Sequence, residues 1–150
     1  MNSQDGSTVF EILLVEDNPG DIRLAEEAFG DAQVANNLRT ARDGEEALSY
    51  LRQEGSHSQA TRPDLILLDL NLPKKGGREV LREIKADDGV KRIPVIILTT
   101  SGDEEDISQA YGLNASSYVR KPVDLDGFIE VVAAIEAFWM KYVKLPGKGL

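Results

Sequence analysis

Short, almost uninterrupted apolar runs alternate along the chain with stretches whose apolar residues recur every three or four positions. Phe10-Glu11-Ile12-Leu13-Leu14-Val15 is the first run, and it stops at Glu16-Asp17-Asn18-Pro19. Such a run ending in polar turn residues predicts a buried strand, then a helix with Asn18 as its cap and Pro19 in its first turn. That helix extends to about Phe29, with Ile22, Ala25, Ala28 and Phe29 on its inner face. A weaker strand is expected over Asn37–Ala41. Asp43-Gly44-Glu45-Glu46 then opens a helix through Ala47, Leu48 and Leu51. Glu54 to Arg62 is a polar loop, and Asp64–Leu70 is the strongest strand, around Leu65-Ile66-Leu67-Leu68. Gly76-Gly77 leads into a helix carrying Val80, Leu81 and Ile84; Pro94–Leu98 is a further buried strand, followed by Thr99-Thr100-Ser101-Gly102. A helix from Asp103 to about Tyr111, a short strand at Ser117-Tyr118-Val119 and a long helix from Asp124 complete the series.

Five strands, each followed by a helix, predict an α/β protein. Apolar strands joined by helix-length crossovers indicate a parallel sheet covered on both faces. Right-handed crossovers leave few topologies, and the expected one is a flavodoxin-like doubly wound sheet in the order 2-1-3-4-5 with five helices. We expect residues 10–143 to form one domain, after a flexible 1–9 segment and before a 144–150 tail.

In open parallel sheets, ligands bind beyond the carboxyl ends of the strands, where strand order reverses. The residues at those ends are Glu16 and Asp17 after the first strand, Asp69 after the third, Thr99 and Thr100 after the fourth and Lys121 after the fifth. Carboxylates crowded together repel one another unless a cation joins them. A hard oxygen set of this kind suits Mg2+, or Mn2+ in its place. A lysine and a hydroxyl beside such an ion are the groups that hold the remaining oxygens of a phosphoryl.

Glu16-Asp17-Asn18, Leu68-Asp69-Leu70, Leu72-Pro73 with Gly76, Thr99 and Lys121-Pro122 together resemble the receiver domains of two-component response regulators, in order and spacing, from about Phe10 to Ile135. The resemblance implies that Asp69 accepts a phosphoryl group and that Glu16, Asp17, Asp69 and the Asn71 carbonyl hold the divalent ion. It implies that Lys121 pairs with the phosphoryl group. Thr99, beside Thr100, and Tyr118 correspond to the switch pair. The implied function is that of a single-domain response regulator, not an enzyme in its own right, which signals by changing shape.

The stretch Asn71-Leu72-Pro73-Lys74-Lys75 and the end Glu136-Ala137-Phe138-Trp139-Met140-Lys141 are similar to regulators that work with phytochrome-type sensor histidine kinases. In the last helix, Leu125, Phe128, Ile129, Val132 and Trp139 are expected to face the sheet. Val131, Ile135, Phe138 and Tyr142 form a second apolar stripe, which predicts a homodimer, with plain core packing of Phe138 and Trp139 as the alternative.

Composition narrows the partners. With 26 acidic and 17 basic side chains the net charge is -9, which repels nucleic acid and anionic membranes. There are no cysteines, so disulfides and thiolate metal sites are excluded. No segment reaches the roughly 18–20 apolar residues of a membrane span, and Met1 to Thr8 lacks signal-peptide order, so a cytoplasmic location is expected. His57, the single histidine, lies in the polar loop and is expected to be exposed. Three rivals stay open to different degrees. A phosphorylation-independent receiver-like binding module is one. A haloacid-dehalogenase-type phosphatase needs an acid at position 71, where this chain has Asn71. A flavodoxin-type carrier needs a phosphate loop where Glu16-Asp17 stands.

Overall fold

A computed structural model describes residues 9–100, 107–108 and 111–142. Its strands are β1 (Phe10–Val15), β2 (Asn36–Ala41), β3 (Leu65–Leu68), β4 (Val95–Thr99) and β5 (Ser117–Arg120). They form one parallel sheet in the order β2-β1-β3-β4-β5, as expected. The helices are α1 (Pro19–Gly30), α2 (Gly44–Leu51), α3 (Gly77–Ala86) and α4 (Leu125–Ile135). A 3-10 turn at Gly55–His57 interrupts the polar loop, and a π-helical segment, Glu136–Tyr142, continues from α4. Most of the helix expected over Asp103–Tyr111 lies outside the described residues, as do Ser101 and the ends of the chain.

The strand sequences explain the layering. β3 and β4 are buried at every position and β1 at all but Glu11, whereas edge strand β2 alternates toward solvent. Side chains on a strand alternate between faces. Leu13, Val15, Ile66, Leu68, Val95 and Ile97 therefore join the α2 and α3 side chains in one core. Ile12, Leu14, Leu65, Leu67, Ile96 and Leu98 join α1 and α4 in the other. On α1, Ala25, Ala28 and Phe29 are buried as the periodicity predicts.

Among the described residues, three helices begin on a side-chain cap. Asn18 accepts from the Asp21 amide (3.0 Å), Asp43 from that of Glu46 (2.8 Å) and Asp124 from that of Gly127 (2.9 Å). Each cap satisfies an amide that the first helical turn leaves without a partner.

The last helix departs from the expected facing. Ile129 is 39% exposed, whereas Ile135 is buried in the α1/α4 core. The next buried apolar residue after Ile135 is Met140, five positions on, which is the π-helical rather than the α-helical step. Trp139 is only partly buried against that core and Phe138 is 58% exposed. The buried carboxylate of Glu136 accepts from the Val34 amide and fastens this junction to the segment between α1 and β2. Of the proposed dimer stripe, Val131 and Phe138 reach an apolar groove beside β5, and Ile135 forms part of its wall from within the core. The Tyr142 side chain lies outside the described residues.

Candidate functional site: an acidic pocket at the sheet's switch point

Strand order reverses between β1 and β3, whose partners lie on opposite sides. Both strands end there in acids. The Glu16 amide donates to the Ala41 carbonyl and the Asp69 amide to the Val15 carbonyl, so the acids leave the sheet side by side. Carboxylate oxygens of Glu16, Asp17 and Asp69 all lie within 4.8 Å of one another. The three acids expected together from their places at strand ends are thus brought together by the fold.

Lys121 closes the pocket from the far side of the sheet. Its amide donates to the Thr99 carbonyl (2.8 Å), which fixes the residue just past the end of β5. Its Nζ lies 2.8 Å from Glu16 Oε1, 3.0 Å from Asp69 Oδ2 and 3.1 Å from Asp21 Oδ2. The Lys121, Glu16 and Asp69 side chains are almost fully buried. The other carboxylate oxygens accept from the chain itself: Glu16 Oε2 from the Asn18 amide and Asp69 Oδ1 from the Asn71 amide, both at 3.1 Å.

Burial pushes the Glu16 carboxyl above its ordinary range, and the Asp69 charge adds to the rise against the opposing bond from Lys121. Burial alone would lower the Lys121 ammonium. Its hydrogen bonds to Glu16 and Asp69 and their charges overcome this and hold it well above its ordinary value. The lysine is thus a permanent cation facing a surplus of negative charge, and a set of hard oxygens in that surplus fits a divalent ion.

Thr99 is fully buried, and its Oγ1 is 3.4 Å from Asn71 Nδ2. Asn71 itself is exposed, as is Thr100. Tyr118 is partly buried and packs against the α2/α3 core. Asp21 was not singled out from the sequence. Its signal was there: an acid in the first turn of α1, one helical turn beyond Asp17, with Pro19 and Asn18 fixing the start of that turn.

The description of the response regulator receiver domain matches residues 12–133 of the chain. The chain belongs to the response regulator receiver family. This receiver is 47% identical over 135 residues to response regulator Rcp1 of Synechocystis, covering 90% of the chain and 92% of the relative. The crystal structure of the Mn2+-bound form of Rcp1 superposes on it with a TM-score of 0.85 at 46% identity, covering 91% of the chain and 99% of Rcp1. The phosphorylated cyanobacterial phytochrome response regulator RcpA is 52% identical with a TM-score of 0.88, covering 92% of the receiver and 99% of RcpA. The receiver is therefore a signalling protein built on the flavodoxin-like sheet expected for it. Among the described residues no helix is long and apolar enough to cross a membrane.

Proposed function

We propose that Asp69 accepts a phosphoryl group from the phosphohistidine of a sensor histidine kinase. The observation that carries this is the buried lysine: Lys121 Nζ stands 3.0 Å from Asp69 Oδ2 beside the Glu16–Asp17 acid pair. An Asp69 carboxylate oxygen attacks phosphorus in line, the phosphorus–nitrogen bond breaks and the donor imidazole keeps the electron pair. Lys121 neutralises charge on the transferring oxygens, which is most of what phosphoryl transfer asks of a protein. Glu16, Asp17, Asp69 and the Asn71 carbonyl would hold Mg2+ or Mn2+, which when bound supplies further charge neutralisation. The Thr99 hydroxyl, neighboured by Thr100, gains a phosphoryl oxygen as partner, and Tyr118 moves with it. That new contact shifts the balance between two shapes of the receiver. The same groups promote loss of the phosphoryl to water.

The relatives support a finer reading of the partners. Rcp1 and RcpA resemble this chain over nearly their whole lengths, and RcpA is a phytochrome response regulator, so a phytochrome-type histidine kinase is the proposed donor. We take residues 10–143 as the receiver proper, 1–9 and 144–150 as its flanks, and the cytoplasm as its location. Val131, Phe138 and Tyr142 are the proposed homodimer surface, Phe138 being its most exposed described member, while Ile135 is taken up by the core.

Incubation with acetyl phosphate and Mg2+ followed by intact mass measurement tests the central reading. One added phosphoryl is expected on the parent, and none on Asp69→Asn or after chelation of the metal. A parent that stays unmodified while still binding a kinase would favour a phosphorylation-independent binding module.

A further inference from the structure

An ammonium group has three N–H donors and no acceptor. In this receiver three carboxylate oxygens stand within ion-pair distance of that ammonium, Glu16 Oε1 at 2.8 Å, Asp69 Oδ2 at 3.0 Å and Asp21 Oδ2 at 3.1 Å, and it donates hydrogen bonds to the last two. When Asp69 is modified its own contact with Lys121 passes to the phosphoryl group, whereas the contacts to Glu16 and Asp21 stay in competition with that group for the ammonium. The three partners are not equivalent. Glu16 and Asp69 are buried beside the lysine, whereas the Asp21 side chain is 23% exposed and makes the longest of the three contacts. Asp21 also arrives from a different element. Pro19 and the Asn18 cap set the first turn of α1, and that turn brings the Asp21 carboxylate to a lysine a hundred positions away.

We infer that Asp21 is a positioning residue that holds Lys121 in the unphosphorylated receiver and competes with the phosphoryl group for it. Two effects act in the same direction. Asp21 occupies a donor that the phosphoryl oxygens need, and its negative charge lies close to where they arrive. Asp21 thereby sets how readily the site captures a phosphoryl group. This rests on the reading of Asp69 as acceptor. A merely structural Asp21, an acid favourably placed at a helix N-terminus, would contribute to stability and leave capture unchanged.

The test uses the full chain and beryllium fluoride, a non-covalent phosphoryl mimic, titrated in the presence of Mg2+ and followed by NMR. Thermal melting of each variant, recorded without ligand, confirms that it is folded. Asp21→Asn is expected to bind the mimic about three- to tenfold more tightly, the scale of one partly screened charge at short range. Asp21→Ala, which also removes the acceptor oxygen, should gain at least as much. Asp21→Glu, which keeps the charge, should return toward the parent. Phosphorylation by acetyl phosphate should quicken in the same order. Folded Asn and Ala variants that bind the mimic as the parent does, or more weakly, would overturn the inference while leaving Asp69 as acceptor intact. Binding that survives Asp69→Asn, or a parent that does not bind at all, would instead overturn the acceptor reading and this inference with it.

Discussion

At Lys121, burial and pairing pull in opposite directions, and pairing wins. Removing that cation leaves Glu16 and Asp69 buried without a neutralising partner, the costly way to break a buried ion pair. Lys121→Met is expected to lose about 3–5 kcal/mol of stability in urea titration. Added Mg2+ should restore part of it, because a ligand bound only by the folded chain stabilises that state. Asp43 offers a second test. The Glu46 amide, and after it Lys74, hold the Asp43 carboxyl below its usual 3.8. A lowered folded-state value means stability that is fully present above the unfolded value and lost as pH falls through the folded one. Asp43→Ala should therefore cost about 0.5–2 kcal/mol at neutral pH, the worth of a helix cap. That difference from the parent should shrink in urea titrations repeated below about pH 4. At this scale the sequence revealed the acids, the hydroxyl and the lysine, because all stand at strand ends. Asp21 escaped notice because it stands in the first turn of a helix and not at a strand end. His57 was expected to be exposed, yet it is partly covered, its ring meeting Tyr50 edge-on at 5.4 Å.

Among the elements, the turn from β3 into α3 leaves the backbone of Asp69 little room. A Cβ on Gly77 would stand 2.4 Å from Leu70 Cα and 2.5 Å from the Asp69 carbonyl oxygen, so the backbone carrying Asp69 would have to move. Gly77→Ala is expected to lose about 1–3 kcal/mol, as overpacking does, and to slow phosphorylation by acetyl phosphate. Gly76→Ala, where a Cβ meets nothing within 4 Å, is the matched control and should be nearly silent in both assays. Buried strands were legible because three successive apolar runs have no other place than the middle of a parallel sheet. The facing of the last helix was not, because an α-helical count carried past Ile135 goes out of phase where the chain takes a π step. Ahead of that step, within the α-helix itself, Phe128, Val132 and Ile135 form the buried face, so Ile129 and Ile135 exchanged the surfaces expected of them.

For the molecule as a whole, strand order could be read from the sequence because crossover handedness leaves few alternatives. The apolar groove beside β5 could not, since its walls come from the strand and the last helix together and a stripe on the helix alone does not outline it. Phe138→Glu tests the proposed dimer. The parent is expected to show a dimer mass in light scattering, and the variant a monomer mass with a melt that stays cooperative and falls only by the loss of association, because Phe138 is 58% exposed and adds little to the core.

The strand that ends in Asp69 sends Leu68 into one apolar interior and Leu67 into the other. A tug on that carboxylate is consequently shared at once between helices on both sides of the sheet. Were Asp69 to take a phosphoryl group as proposed, the strain would reach both interiors, and a methyl group trimmed from either should alter how the chain answers to that change.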